Sequence, residues 1–241
     1  RSTRRFVVLL HCAVYLPRLS RPRYPRAVPS SDALTDLLAG LAYAELSAFD
    51  RLAEDARLAP TLAARAEMSA MAAVEVGHFQ QLAARLVSMG VAPDLAMEPF
   101  VAALDTFHSL TEPSTWLESV VKAYVGDGMA ADFYREVAAF VDEPTRELIH
   151  LVLSDTGRAE FAVREVQAAV AEQPGVADRL ALWARRLVGE AISQTQHVLA
   201  DRDSLMMLMI EGTGGLAGVG ELITRVTGRH EERMKALGLH S

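Results

Sequence analysis

The sequence holds a single cysteine, Cys12, which rules out an intrachain disulfide and any zinc or iron–sulfur site built on cysteines. Aromatic residues are scarce as well, at 6% of 241 residues. The 51% of hydrophobic residues is therefore mostly Ala, Leu and Val, a composition that favours helices over a β-sandwich. Nothing alternates with period two over a useful length. The longest clean apolar run, residues 6–16, is interrupted by His11 and is too short to span a bilayer. No membrane partner is expected. With 23% of charged residues, the chain reads as globular rather than disordered, in one large domain or two small ones. No Ser–His–Asp or Cys–His constellation can be assembled for nucleophilic catalysis.

Acidic residues are missing from the first thirty positions, which carry seven arginines. The net charge of the whole chain is −7, so the remainder carries 17 basic against 31 acidic residues, a net of −14. So acidic a body is a poor counterion for phosphate, and it opposes broad contact with nucleic acid. Residues 1–30 form a basic, Pro-rich lead. Arg4-Arg5 before an apolar run resembles a twin-arginine export signal, but Arg-rich sequence follows and no small-residue cleavage site is clear. The lead reads as a disordered tail or an over-extended reading frame, and the protein is expected in the cytoplasm.

The ten prolines mark out the helices, because proline is disfavoured inside them. The spacing predicts helices over 31–56, 60–89, 114–141, 143–172 and 175–210, then a Gly-rich link and a last helix to about residue 237. Residues 91–113, with three prolines, read as a long connection. Two tight helical pairs joined by one long link give the connectivity of a four-helix bundle with one crossover, the ferritin-like arrangement. The fold expected is all-α, with the bundle over 31–173 and additional C-terminal helices over 174–241 packing on it.

Several carboxylates stand on apolar helical stripes. Glu45 lies in line with Leu38, Leu41, Ala48 and Leu52, and Glu75 and His78 lie in line with Met68, Met71, Ala72, Phe79 and Leu82. A buried carboxylate is costly unless it is paired or bound to a metal. Glu-x-x-His directs both side chains to one point, and bundle di-iron proteins combine it with a Glu from a neighbouring helix. The second half repeats the pattern: Asp155-Thr-Gly-Arg158 parallels Glu75-Val-Gly-His78, and Asp127 lies in line with Val120, Tyr124, Ala131 and Tyr134. Asp132 is a candidate in place of Asp127, and Glu160 is a weaker alternative to Asp155. One inward carboxylate per helix points to a metal site, or to a former one.

Other signals are plainer. Gly212-Thr-Gly-Gly-Leu-Ala-Gly-Val-Gly220 follows a helix rather than a strand and reads as a joint, not a phosphate loop. Glu147-Leu-Ile-His150 is a second Glu-x-x-His, but it lies too near Pro144 and its helix end to face a central site. His108 and His230 read as loop and surface residues, Glu190, Gln194 and His197 as a surface stripe, and Met206, Met207 and Met209 as packing. Trp116 and Trp183 are expected to anchor their helices to neighbours.

Five segments carry a resemblance: Leu41-Ala-Tyr-Ala-Glu45, Glu75-Val-Gly-His78-Phe79, Tyr124-Val-Gly-Asp127-Gly, Ala131-Asp-Phe-Tyr-Arg-Glu136 and Asp155-Thr-Gly-Arg-Ala-Glu-Phe161. They resemble the ferritin-like proteins related to the tRNA isopentenyladenosine hydroxylase, the MiaE-like family. The likeness covers residues 33–170 and, loosely, residues 229–239. It implies a non-heme, carboxylate-bridged di-iron hydroxylase that oxidises a C–H bond of a modified tRNA adenosine, served by an unidentified electron donor. It implies Glu45, Glu75 and His78 as ligands of the first half, and Asp127 and Asp155 in the second-half positions. The departure is Arg158, where the pattern has His, since Arg stays protonated and cannot ligate a metal. The cofactor expected is therefore one or two irons per chain. A non-catalytic iron-binding bundle and an inactive bundle used for protein interaction are the rivals, and a homo-oligomer is left open.

Overall fold

Side-chain caps start three of the helices. In the computed structural model, which describes residues 30–154 and 157–240, α1 (Ser31–Asp55) begins where Ser30 Oγ accepts from Ala33 N at 3.2 Å. A 3₁₀ turn, Ala56–Leu58, leads to α2 (Leu62–Ser88), where Thr61 Oγ1 accepts from Ala64 N at 3.1 Å. Proline thus stands just ahead of the cap rather than at the first helical position. Thr115 caps α4 (Trp116–Ala138) in the same way. Residues 1–29, which include nearly all of the basic lead, lie outside the described residues, as do Asp155, Thr156 and Ser241.

Three predicted boundaries are corrected. The connection 91–113 contains a helix, α3 (Pro93–Leu110), with Pro93 in its first turn and Pro99 inside it. An interior proline forfeits one backbone hydrogen bond, a cost of about 3 kcal/mol. Burial of Met97 and Phe100 against the core offsets this, and the crossover is therefore helical. The segment 143–172 is two helices, α5 (Glu143–Val152) and α6 (Arg158–Glu172). Gly157, at φ +89°, sits in the left-handed region that other residues avoid, and it turns the chain into α6. The segment 175–210 is also two helices, α7 (Val176–Asp201) and α8 (Asp203–Thr213). The chain leaves helical geometry at Arg202, whose guanidinium pairs with the buried Asp36 of α1, an acceptor also of Ser204 Oγ. Gly214 and Gly215 then turn the chain into α9 (Leu216–Ala236), so the joint is these two residues, and the rest of the Gly-rich stretch 212–220 is helical, in α8 or α9.

The fold is an all-α, ferritin-like bundle, in which α1 pairs with α2, α3 is the helix between α2 and α4, and α4 packs against α6, α7 and α9. Helix α4 is the hub, touching α1 and each of α5 to α9. Trp183 Nε1 donates to Glu118 O, tying α7 to α4, and Trp116 Nε1 donates to Glu165, tying α4 to α6. No single helix among the described residues is long and apolar enough to cross a membrane.

The apolar interior is divided. One cluster gathers Leu52, Met68, Met71, Ala72, Val121 and Val125 with Phe161 and Leu187, and the other gathers Leu38, Leu41, Leu82, Leu86, Phe100 and Val137. On α1 the division falls between Ala42 and Leu52, and on α2 between Ala72 and Leu82, while on α4 Met129, between Val125 and Val137, belongs to a third, smaller cluster with Leu222 and Val226. Glu45 lies in the gap on α1, and Glu75 and His78 lie in that on α2.

Candidate metal centre

Glu45 comes from the middle of α1, and Glu75 and His78 come from the middle of α2, one turn apart on its inner face. All three are buried, with Glu75 only 2% exposed. His78 Nδ1 lies 3.3 Å from Glu45 Oε2 and 3.2 Å from Glu75 Oε2. One ligand atom from each of the three residues lies within 4.8 Å of the other two.

These distances suit a cation. Two donors about 2.1 Å from one ion stand about 3.0 Å apart at a right angle and about 3.4 Å apart at a tetrahedral angle. The two carboxylates and one imidazole are a donor set that first-row divalent metals accept. Carboxylates placed on apolar stripes, at the gap between two hydrophobic clusters, carry a desolvation cost that a bound cation would relieve.

The second-half residues are arranged differently. Arg158, the first residue of α6, extends its guanidinium between two acids: one end pairs with Glu75 Oε1, and Nη1 donates to Asp127 Oδ2 at 2.7 Å. Asp127 thus joins the cluster through Arg158 and is not one of the Glu–Glu–His group. Asp155, the fifth expected ligand, lies outside the described residues. Asp132, the alternative to Asp127, is not in the Glu–Glu–His group either. It is buried at the junction of α4 and α9, where it meets Arg233 at 2.6 Å, Arg229 at 3.1 Å and Arg135 at 3.5 Å. Glu160 is exposed and lines a separate pocket with Glu67, Phe161 and Arg164. His150 and Glu147 are exposed on α5.

Two histidines depart from expectation. His230 is buried, and His108 belongs to α3, where burial and then the charge of Lys122 push its imidazole down to about 3. The apolar stripes around them are too short to reveal this in sequence.

The Glu–Glu–His group opens on a cavity of about 290 Å³, whose wall also includes Tyr124, Asp127, Tyr134, Arg135, Arg158 and Arg233. Burial raises Glu45 above the usual carboxylate value, with its hydrogen bond to His78 acting the other way. Burial also pushes Asp127 up to about 7, against the pull of Lys122. The Tyr134 phenol is raised by burial and by the nearby Glu45 carboxylate, so it keeps its proton. Arg135 and Arg233 were not singled out in sequence. Only their position over the cavity, one from α4 and one from α9, gives them interest.

A buried Glu-x-x-His on one bundle helix facing a Glu from its neighbour is the half-site of the ferritin-like carboxylate proteins. Residues 28–212, more than half of the chain, match the ferritin-like domain of actinomycetes. The chain belongs to that family. No curated protein compared with it matches. Among the described residues, Glu45, Glu75 and His78 form a group that could hold a metal ion, and the ferritin-like match encloses all three.

Proposed function

We propose that this ferritin-like protein is a non-heme iron oxidoreductase of the carboxylate-bundle type, acting as a hydroxylase on a substrate that enters the cavity beside Glu75. The observation that carries this reading is the Glu–Glu–His group itself, buried at mid-helix and open to about 290 Å³ of space. A site for storage or for packing alone needs no such space. The volume lies at the small end of ligand pockets, so it suits a small substrate or one projecting group of a larger one.

The chain's own residues would act as follows. Glu45, Glu75 and His78 bind the iron. Arg158 fixes the second oxygen of Glu75, which holds the first toward His78. Iron bound there supplies activation of dioxygen for oxidation of a C–H bond. Tyr124 and Tyr134 shape the cavity wall, and the two flanking apolar clusters keep bulk water from the centre.

The finer reading, hydroxylation of a modified tRNA adenosine in the cytoplasm, rests on the likeness of the five motifs to the MiaE-like family. The acidic body opposes it, unless the seven arginines of residues 1–30 supply the phosphate contacts. The test is iron-loaded full-length protein given a reductant, dioxygen and tRNA bearing isopentenyladenosine, with nucleosides analysed by mass. A gain of one oxygen supports the tRNA reading. Dioxygen uptake without change in the nucleoside retains the oxidoreductase and removes the tRNA. Tight iron binding with no substrate-dependent uptake across small-molecule and tRNA substrates favours the non-catalytic bundle.

A further inference from the structure

Glu75 is the pivot of the site, because its two oxygens face different partners. Oε2 faces His78 and the Glu45 side of the cluster, and Oε1 faces the guanidinium of Arg158. The far side of that guanidinium is held by Asp127 at 2.7 Å. In a two-metal bundle site, the carboxylate of Glu-x-x-His and an acid from the third helix stand on either side of the second ion. Here a guanidinium stands between them. The half-repeat places it by the same logic, since Arg158 follows Asp155 at the interval by which His78 follows Glu75.

We infer that the Arg158 guanidinium occupies the place of a second cation, so that the chain binds one divalent ion per molecule, at Glu45, Glu75 and His78. This rests on the metal reading of the site and specifies its nuclearity. Geometry supports it: the guanidinium already supplies a positive charge to Asp127 and to the oxygen of Glu75 that does not face His78. A second divalent ion would have to displace Arg158 from both acids or share their space with a fixed positive charge. Arg158 cannot leave easily. Its side chain is 20% exposed and starts at the first residue of α6, so its reach is set by the turn at Gly157.

The positive charge also has a structural use before metal arrives. Glu75 is almost wholly enclosed, and the bidentate grip of Arg158 on Glu75 and Asp127 supplies compensation in the metal-free protein. Arg158 is therefore a positioning residue. It holds Glu75 oriented for the first ion while it denies the second.

The test uses full-length protein, apo and anaerobic, titrated with ferrous iron and separately with cobalt(II). Ions bound per chain are counted for the wild type, Arg158→Lys and Arg158→His, and circular dichroism confirms the fold of each. The expected counts are one for the wild type, one for Arg158→Lys and two for Arg158→His. After oxidation, the wild type should give the electron-spin signal of an isolated ferric ion, and the His variant should lose it through coupling of the pair. Two ions in the wild type overturn the inference while leaving the metal reading intact. One ion in a folded Arg158→His overturns the assignment of exclusion to the guanidinium. No ion in any of the three proteins overturns the metal reading, and the inference with it. If Arg158→His fails to fold, a count of two in Arg158→Lys overturns the inference and a count of one supports it.

Discussion

Replacing Lys122 by Met should stabilise the protein at neutral pH and remove a rise in stability at alkaline pH. Lys122 is on α4, only 5% exposed, with its ammonium 5.8 Å from the centre of the Phe107 ring. Burial lowers its pKa from 10.5 to about 8, and the negative charges of Asp55, Asp127 and Glu112 counteract this only in part. Unfolded chains hold this proton until pH 10.5, whereas the folded protein releases it near 8. Between those values the unfolded state binds more protons, so raising the pH favours the folded state. The contribution is flat below pH 8, rises from there to about 10.5, and amounts to about 3 kcal/mol. Lys235, the only other lysine, is exposed, and the tyrosines that titrate near the top of this window in the unfolded chain, Tyr43 and Tyr134, are common to both proteins and cancel in the comparison. Lys122→Met keeps the length and apolar contact of the side chain and removes its buried charge. Loss of the attraction to Asp55 offsets part of the gain, leaving a net of about 1–2 kcal/mol at pH 7. Urea unfolding of both proteins at pH 7 and pH 10 measures the effect. An equal rise in both proteins, or a variant less stable than the wild type at pH 7, would refute the reasoning.

Two further variants probe the packing that holds the centre in place. A Cβ added at Gly40 would lie 3.1 Å from the Tyr134 hydroxyl and 3.2 Å from the Phe100 ring. Gly40→Val should therefore cost about 1–3 kcal/mol in urea unfolding, and an unchanged midpoint would show that α1 and α4 are not closely packed there. Arg202→Ala leaves the buried Asp36 with Ser204 as its remaining side-chain partner. It should cost about 3 kcal/mol, and a loss below ~0.5 kcal/mol in urea unfolding, the size of an exposed pair, would contradict the role given to that contact.

Much of the centre is legible in the sequence, and for a simple reason. A carboxylate on an otherwise apolar helical line is a local conflict, and Glu45, Glu75 and His78 show it without any knowledge of their neighbours. The all-α bundle and its crossover are legible in the same way, from helical spacing and from proline. What periodicity cannot give is where a helix breaks for a distant partner. Arg202 interrupts one helical pattern because Asp36, 166 positions earlier in the chain, is buried within reach. Pro93 and Pro99 read as a loop because proline is judged by its local cost, while burial of Met97 and Phe100 outweighs that cost. Arg158 is half legible. The repeat marks it as the odd residue at its position, but only the structure shows its guanidinium between Glu75 and Asp127.

Comparing two histidines tests most directly whether the buried Glu–Glu–His centre binds iron. His78 and His150 both end a Glu-x-x-His, but His78 faces Glu45 inside the bundle, whereas His150 is exposed on α5. Anaerobic titration of ferrous iron into the wild type, His78→Ala and His150→Ala, with circular dichroism to confirm each fold, should show tight binding retained in the wild type and in His150→Ala. It should be lost in His78→Ala. Equal binding by all three folded proteins, or none by the wild type, would contradict the assignment of Glu45, Glu75 and His78 as the metal centre.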